Sequence, residues 1–101
     1  MRERRQDPRY PMLIPVTIIN GGMIINSKTV NISRSGVQIE DKLPKEFHER
    51  DLTLTMDIPD ENDETQMVLF QARVVPDKPD RLKFQNLTEE NEEVIGYLLG
   101  D

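Results

Sequence analysis

Residues 51–58 have the sequence DLTLTMDI, in which apolar and polar side chains alternate without interruption. Successive side chains of a β-strand point to opposite faces, so a period of two predicts a strand with one buried face. The residues of the predicted buried face are Leu52, Leu54, Met56 and Ile58. This segment therefore predicts a half-buried strand near the middle of the chain.

Similar short apolar segments lie on both sides of this strand and are separated by turn signals. Asn20-Gly21-Gly22 is a strong turn signal between two apolar runs, and SRSG at residues 33–36 makes a second break. Pro15 indicates an edge strand or a bulge in the first run. Short strands at this spacing predict a small antiparallel barrel or a sandwich. The predicted strands cover residues 13–19, 23–32, 37–40, 51–58, 67–75 and 81–86.

Polar stretches are predicted to connect the later strands. DKLPKEFHER at residues 41–50 is irregular in pattern and predicts a connection. PDENDET at residues 59–65 predicts an acidic loop, and PDKPD at residues 76–80 predicts another turn.

The end of the chain changes to a helical period. Thr88 is a good N-cap residue, and Glu89 and Glu90 suit the first turn of a helix. Apolar residues then recur at a spacing that puts them on one side of a helix. The residues of this stripe are Val94, Ile95, Leu98 and Leu99. We therefore predict a helix over residues 88–99.

Composition limits the function classes that fit. The 101 residues support one domain, and they contain no cysteine for a disulfide, a thiolate nucleophile or a cysteine-based metal site. No apolar run approaches the ~20 residues that a membrane helix needs. The formal net charge of −6 and the small number of aromatic residues disfavour DNA and RNA binding. We expect a soluble, cytoplasmic protein without membrane insertion.

Arginine is nevertheless concentrated at the start of the chain, in RRQDPR at residues 4–9. Pro8 disfavours helix at Asp7, so the arginines belong to an arm or a turn rather than to one helix face. In such an arm, several guanidinium groups can surround one compact anion. Arginine pairs bidentately with phosphate and with the O6 and N7 edge of guanine, and it stacks on purines.

A second polar motif, NISRSG, occupies residues 31–36. Asn31 and Ser33 are two positions apart, so their side chains point the same way in an extended segment, and both can hydrogen-bond a polar ligand. Gly36 allows a sharp turn or a close approach of the backbone. Each motif alone is a weak signal, because arginine clusters and strand-end turns are common.

Together and in this order, the two motifs resemble the RRxxxR and (D/N)xSxxG signatures of the PilZ domain family. Arg4, Arg5 and Arg9 match the first, and Asn31, Ser33 and Gly36 match the second, with Asn where Asp is commoner. The resemblance covers essentially the whole chain. It implies a mainly β protein, a six-stranded antiparallel β-barrel with a C-terminal α-helix.

The same resemblance implies a receptor for cyclic di-GMP, a bacterial second messenger. The three arginines would contact phosphates and guanine edges and stack on the bases. Asn31 and Ser33 would hydrogen-bond a guanine, and Gly36 would keep the backbone close. Two further candidates are Lys83, which strand order brings toward the same pocket, and Arg34, for which ligand contact and a solvated position are equally consistent.

These expectations define one PilZ domain over residues 1–101. It would comprise a flexible arm at 1–11, a barrel at 12–86 and the helix at 88–99. No nucleophile–base pair or metal cluster is recognisable, so we expect no catalytic residue, no metal, no cofactor and no enzyme activity.

The expected partner is an unidentified effector protein. Ordering of the arm around the ligand would be the conformational signal that passes to this partner. The chain would be a monomer or a homodimer and would control motility, attachment, exopolysaccharide or virulence. The alternative is a ligand-independent interaction module of the same fold, whose arm binds an acidic protein.

Overall fold

The computed structural model describes residues 10–60 and 62–100. Strands make up most of the ordered elements, and one α-helix follows the last strand. The strands are β1 (Tyr10–Pro11), β2 (Pro15–Asn20), β3 (Met23–Ile32), β4 (Gly36–Ile39), β5 (Leu52–Pro59), β6 (Thr65–Val75) and β7 (Lys78–Gln85), and the helix is α1 (Glu89–Leu99).

Six of these strands form a closed antiparallel barrel. Hydrogen-bonded neighbours follow the order β3, β2, β5, β6, β7 and β4, and β4 returns to pair with β3. The short strand β1 pairs with the last two residues of β3, beyond the point where β2 begins its own pairing with β3. The predicted six-stranded barrel with a C-terminal helix is therefore confirmed, with β1 as an additional strand.

The interior of the barrel follows the alternation of its strands. Along β5, every second residue from Leu52 to Ile58 is buried, as predicted. On β6, the predicted face from Val68 to Val74 is also buried. The Phe70 ring stacks on that of Phe84 from β7, with centroids 5.0 Å apart. One apolar core therefore fills the barrel.

Helix α1 begins where Thr88 was predicted to cap it. The Thr88 hydroxyl accepts a hydrogen bond from the Asn91 backbone N–H, and the Asn91 side chain accepts one from the Thr88 N–H. The buried Asn91 amide also donates to the Leu69 carbonyl oxygen at 2.9 Å, which ties the helix to β6. Ile95 is buried in the core, and the rest of the predicted stripe packs half-buried against it.

Prolines mark the places where the strand boundaries differ from the prediction. Pro15 is the first residue of β2 and pairs with β3 alone, a position that proline tolerates. The residues from Val16 to Ile19 pair with both β3 and β5, so β2 is an interior strand of the barrel rather than an edge strand. Strand β7 begins at Lys78 rather than at residue 81, across a register shift between Val74 and Val75, so the turn is shorter than predicted. The connection at 41–50 contains a 3₁₀ turn, Lys45–Phe47, whose Phe47 side chain is buried.

Within the described residues, no helix is long and apolar enough to cross a membrane.

Candidate ligand-binding site

The motif NISRSG links the end of β3 to the start of β4 through a tight turn. The Ser33 N–H donates to the Gly36 carbonyl oxygen at 2.9 Å. The buried Ser33 hydroxyl accepts hydrogen bonds from the N–H groups of Gly36 at 3.2 Å and Ser35 at 3.3 Å. Ser33 therefore stabilises the turn itself, because its side chain accepts hydrogen bonds from two backbone N–H groups of the turn.

Gly36 lies where β4 passes very close to β7. A Cβ atom at this position would lie within 3.0 Å of the Leu82 carbonyl oxygen and near the Lys83 Cα. The obstacle is backbone and cannot rotate away as a side chain can. The close approach that the glycine permits is thus one between two strands of the barrel.

A cavity of about 270 Å³ opens beside this motif, on the outer side of β3, β4 and β7. Asn31 and Gln38, which are register partners on β3 and β4, lie side by side in its wall. Its lining residues are Asn31, Ser33, Ser35, Gly36, Val37, Gln38, Val75, Arg81, Leu82 and Lys83. All three residues of the second motif therefore belong to one concave site.

Two cationic side chains from β7 contribute positive charge to this cavity. Lys83 was predicted from strand order, and it is the register partner of Gly36. Arg81 was not predicted, and it is the register partner of Gln38. Alternation of side chains along β7 puts both on the outer face, with Leu82 between them in the core.

Three polar side chains form a hydrogen-bonded row at the edge of the site. The Asn31 Nδ2 donates to the Gln38 Oε1 at 2.8 Å. The Gln38 Nε2 in turn donates to the Asp80 Oδ2 at 3.1 Å. Gln38 and Asp80 were missed because they belong to no recognised motif. The pairing of β3 with β4 brings Gln38 to Asn31, and the pairing of β4 with β7 brings Asp80 to Gln38.

Arg34 is separated from the cavity that Asn31 lines. It borders a second cavity of about 160 Å³ with Leu87, Glu92 and Ile95, where the turn faces helix α1. The two candidates from the sequence are thus divided, with Lys83 at the first cavity and Arg34 at the second.

The arginines of the first motif, Arg4, Arg5 and Arg9, lie outside the described residues. The chain that follows them belongs to the sheet, because β1 pairs with β3 in the register Tyr10 to Ile32 and Pro11 to Asn31. The link between β1 and β2 is tied to β3 as well. The buried hydroxyl of Thr29 on β3 donates to the Met12 carbonyl oxygen and accepts from the Ile14 N–H.

This pairing places the first two described residues at the end of β3 that leads into NISRSG. Tyr10, the first described residue, lies beside Ile32 at the end of β3, and Pro11 lies beside Asn31. Within the described residues, no cluster of three or more His, Cys, Asp or Glu side chains is suited to hold a metal ion.

The fold and this site define a small β-barrel with a cavity on its outer wall that polar and cationic side chains line. The family model of the PilZ domain matches residues 3–100, and the chain belongs to this family of cyclic di-GMP receptors. PilZ domains are ligand-binding or adaptor modules, so the prediction that the chain is not an enzyme is confirmed by its family.

Solved structures with the same fold include two PilZ-domain proteins. The inhibitor of motility MotI/DgrA of Bacillus subtilis is 22% identical, with a TM-score of 0.70, and the match covers 98% of this chain. This chain spans 51% of the length of MotI/DgrA. The PilZ domain of CeSA from a cellulose-synthesizing bacterium is 19% identical, with a TM-score of 0.66, over 92% of this chain and 96% of that domain. No curated protein matches the chain in sequence.

Proposed function

We propose that this chain binds cyclic di-GMP between its arginine motif and the cavity beside NISRSG. The observation that carries the proposal is the pairing of Tyr10 with Ile32 and Pro11 with Asn31. Arg9 is one residue from Tyr10, and Arg4 is six, a contour length of roughly 20 Å at most. All three arginines are therefore within reach of a ligand that occupies the cavity.

The chemistry of the cavity suits one half of the ligand. Asn31 supplies an amide for the polar edge of a guanine, and Arg81 and Lys83 supply positive charge for the phosphates. The arginines of the first motif supply bidentate donors and flat stacking surfaces for the remaining phosphate and base. A local cationic site of this kind is compatible with a chain whose net charge is −6.

The output of this receptor is a change of surface that an effector protein recognises. Residues 1–9 would become ordered around the ligand, and the new surface beside β3 would form or hide a docking site. MotI/DgrA is an inhibitor of motility, which makes motility the first output to examine. The absence of cysteine fits a reducing compartment and supports a cytoplasmic location.

Isothermal titration of cyclic di-GMP into wild type, Arg5→Ala and Arg50→Ala tests the binding. Arg50 is exposed and does not line the cavity, so its replacement removes the same charge elsewhere. We expect saturable binding to wild type, a loss of about 10- to 100-fold for Arg5→Ala and no loss for Arg50→Ala, because a charge-assisted hydrogen bond contributes about 1.5–3 kcal/mol.

Two results would contradict the proposal. If wild type does not bind, the arginine motif serves a ligand-independent interaction with an acidic protein instead. If Arg50→Ala weakens binding as much as Arg5→Ala, the attraction is general electrostatics rather than a defined site.

Ordering of the N-terminal segment has its own measurement. Trypsin cleaves after arginine, so bound ligand should protect the bonds after Arg4, Arg5 and Arg9 while cleavage after Arg50 continues unchanged. If cleavage at all four positions is the same with and without ligand, the chain binds cyclic di-GMP without the proposed ordering of its N-terminal segment.

A further inference from the structure

In the hydrogen-bonded row Asn31–Gln38–Asp80, the chemistry of the side chains decides which group donates and which accepts in each hydrogen bond. A carboxylate accepts hydrogen bonds and donates none. Asp80 therefore requires the Nε2 of Gln38, and the observed contact is Gln38 Nε2 to Asp80 Oδ2 at 3.1 Å. With its nitrogen committed to Asp80, Gln38 presents Oε1 at the other end of its amide.

The same logic fixes the amide of Asn31. The Gln38 Oε1 requires a donor, and the Asn31 Nδ2 supplies it at 2.8 Å. The opposite corner of the amide is the Asn31 Oδ1, which accepts none of the hydrogen bonds that the described part of the chain makes. Because Asn31 lines the cavity, this oxygen is the group that it offers to a ligand.

We infer that Gln38 and Asp80 are positioning residues that hold Asn31 with its carbonyl oxygen toward the ligand, and so select guanine. This inference rests on the proposed function. Guanine presents N1–H and N2–H donors on its pairing edge, which an amide oxygen accepts. Adenine presents the unprotonated N1 at the same place, where it would face the oxygen without a hydrogen.

The row also accounts for asparagine at position 31, where the family resemblance makes aspartate commoner. All three side chains are half-buried, and the row contains a single carboxylate, at its far end. A second carboxylate at position 31 would need the Gln38 nitrogen that Asp80 already holds. Whichever way Gln38 turned, its Oε1 would face a carboxylate oxygen, so Asn31 and Asp80 are coupled through Gln38.

This coupling predicts a rescue. Asn31→Asp alone should lower the affinity for cyclic di-GMP by about 10-fold, because in one half-buried contact two acceptor oxygens would then face each other. Adding Asp80→Asn supplies a donor at the far end, so Gln38 can turn over and donate to the new carboxylate. The double variant should return to within about threefold of wild type, a non-additivity that independent sites do not produce.

Asp80→Asn alone should change selectivity rather than stability. An amide at position 80 accepts either orientation of Gln38, so Asn31 is free to present its nitrogen. The ratio of affinities for cyclic di-GMP and cyclic di-AMP should fall about 10-fold. Asp57→Asn is the matched control, since it removes an exposed carboxylate from the outer face of β5, and the ratio should stay at the wild-type value.

Side-chain amide signals in the ¹⁵N NMR spectrum read the same coupling without ligand. Asp80→Asn should shift the NH₂ signals of both Gln38 and Asn31, and Asp57→Asn should shift neither. The inference is wrong if the losses of affinity in the double-mutant cycle are additive, or if Asp80→Asn leaves the Asn31 amide signals unshifted. Either result leaves the proposal of cyclic di-GMP binding untouched. If wild type binds no cyclic di-GMP, the receptor proposal fails, and the amide signals alone decide whether the row orients Asn31.

Discussion

Replacing Gly36 with alanine should weaken the barrel at the contact between β4 and β7. The added Cβ would meet the Leu82 carbonyl oxygen at less than 3.0 Å, the Leu82 carbonyl carbon at 3.1 Å and the Lys83 Cα at 3.2 Å. All three atoms belong to the backbone, so the strands must separate for the methyl group to fit. The effect is independent of any ligand.

The expected magnitude follows from what the separation disrupts. Inserting one extra carbon into a packed region costs about 1–3 kcal/mol. Strand β4 has only four residues, with three register partners on β7, so a lost ladder hydrogen bond adds about 1 kcal/mol. We expect a decrease of about 2–3 kcal/mol in the free energy of unfolding. At about 4 °C per kcal/mol for a domain of this size, the melting temperature should fall by roughly 8–12 °C.

The measurement is thermal unfolding by circular dichroism without ligand, with Gly22→Ala as the control. Gly22 lies in the β2–β3 turn, and a Cβ atom there would meet nothing within 4 Å. That variant should remain within about 2 °C of wild type, since surface substitutions usually change stability by no more than 0.5 kcal/mol. If Gly36→Ala melts together with Gly22→Ala, the strand-contact explanation is wrong, and Gly36 serves the ligand alone.

Three further substitutions test the helix and the surface. Thr88→Ala removes the N-cap of α1 and should lower the free energy of unfolding by about 1 kcal/mol in chemical denaturation. The dependence of that free energy on denaturant concentration should stay unchanged. Asn91→Ala leaves the Leu69 carbonyl oxygen without its buried donor and should cost more, about 2–3 kcal/mol by the same measurement; equal losses would mean that the tie to β6 contributes little. Arg73→Ala breaks an ion pair with Asp51 at 2.8 Å, but both side chains are well exposed. The free energy of unfolding should therefore change by less than about 0.5 kcal/mol in the same denaturation experiment.

Local patterns made much of the fold predictable. Burial of one face leaves a period of two along β5 and β6, and a capping hydroxyl followed by acidic residues marks the start of α1. The second motif was recognisable for the same reason, since Asn31, Ser33 and Gly36 lie within six residues.

The parts that were missed depend on contacts between distant segments. Arg81 and Asp80 reach the site only through the pairing of β4 with β7, which no short window of sequence reveals. Strand β1 was assigned to the arm because Pro8 and Pro11 suggested irregular structure. Its pairing with β3 is tertiary, and a proline at a sheet edge needs no donor for the ladder.

Closure of the barrel by β4 has a consequence for the protein during its synthesis. Strand β4 leaves the ribosome soon after β3, but its second partner, β7, emerges much later. A four-residue strand on one hairpin is only marginally stable, so the cavity wall that Arg81 and Lys83 complete cannot exist on a half-made chain. Chains that end before β7 would therefore carry both sequence motifs without this cavity wall, and under the proposed function they would not bind the messenger.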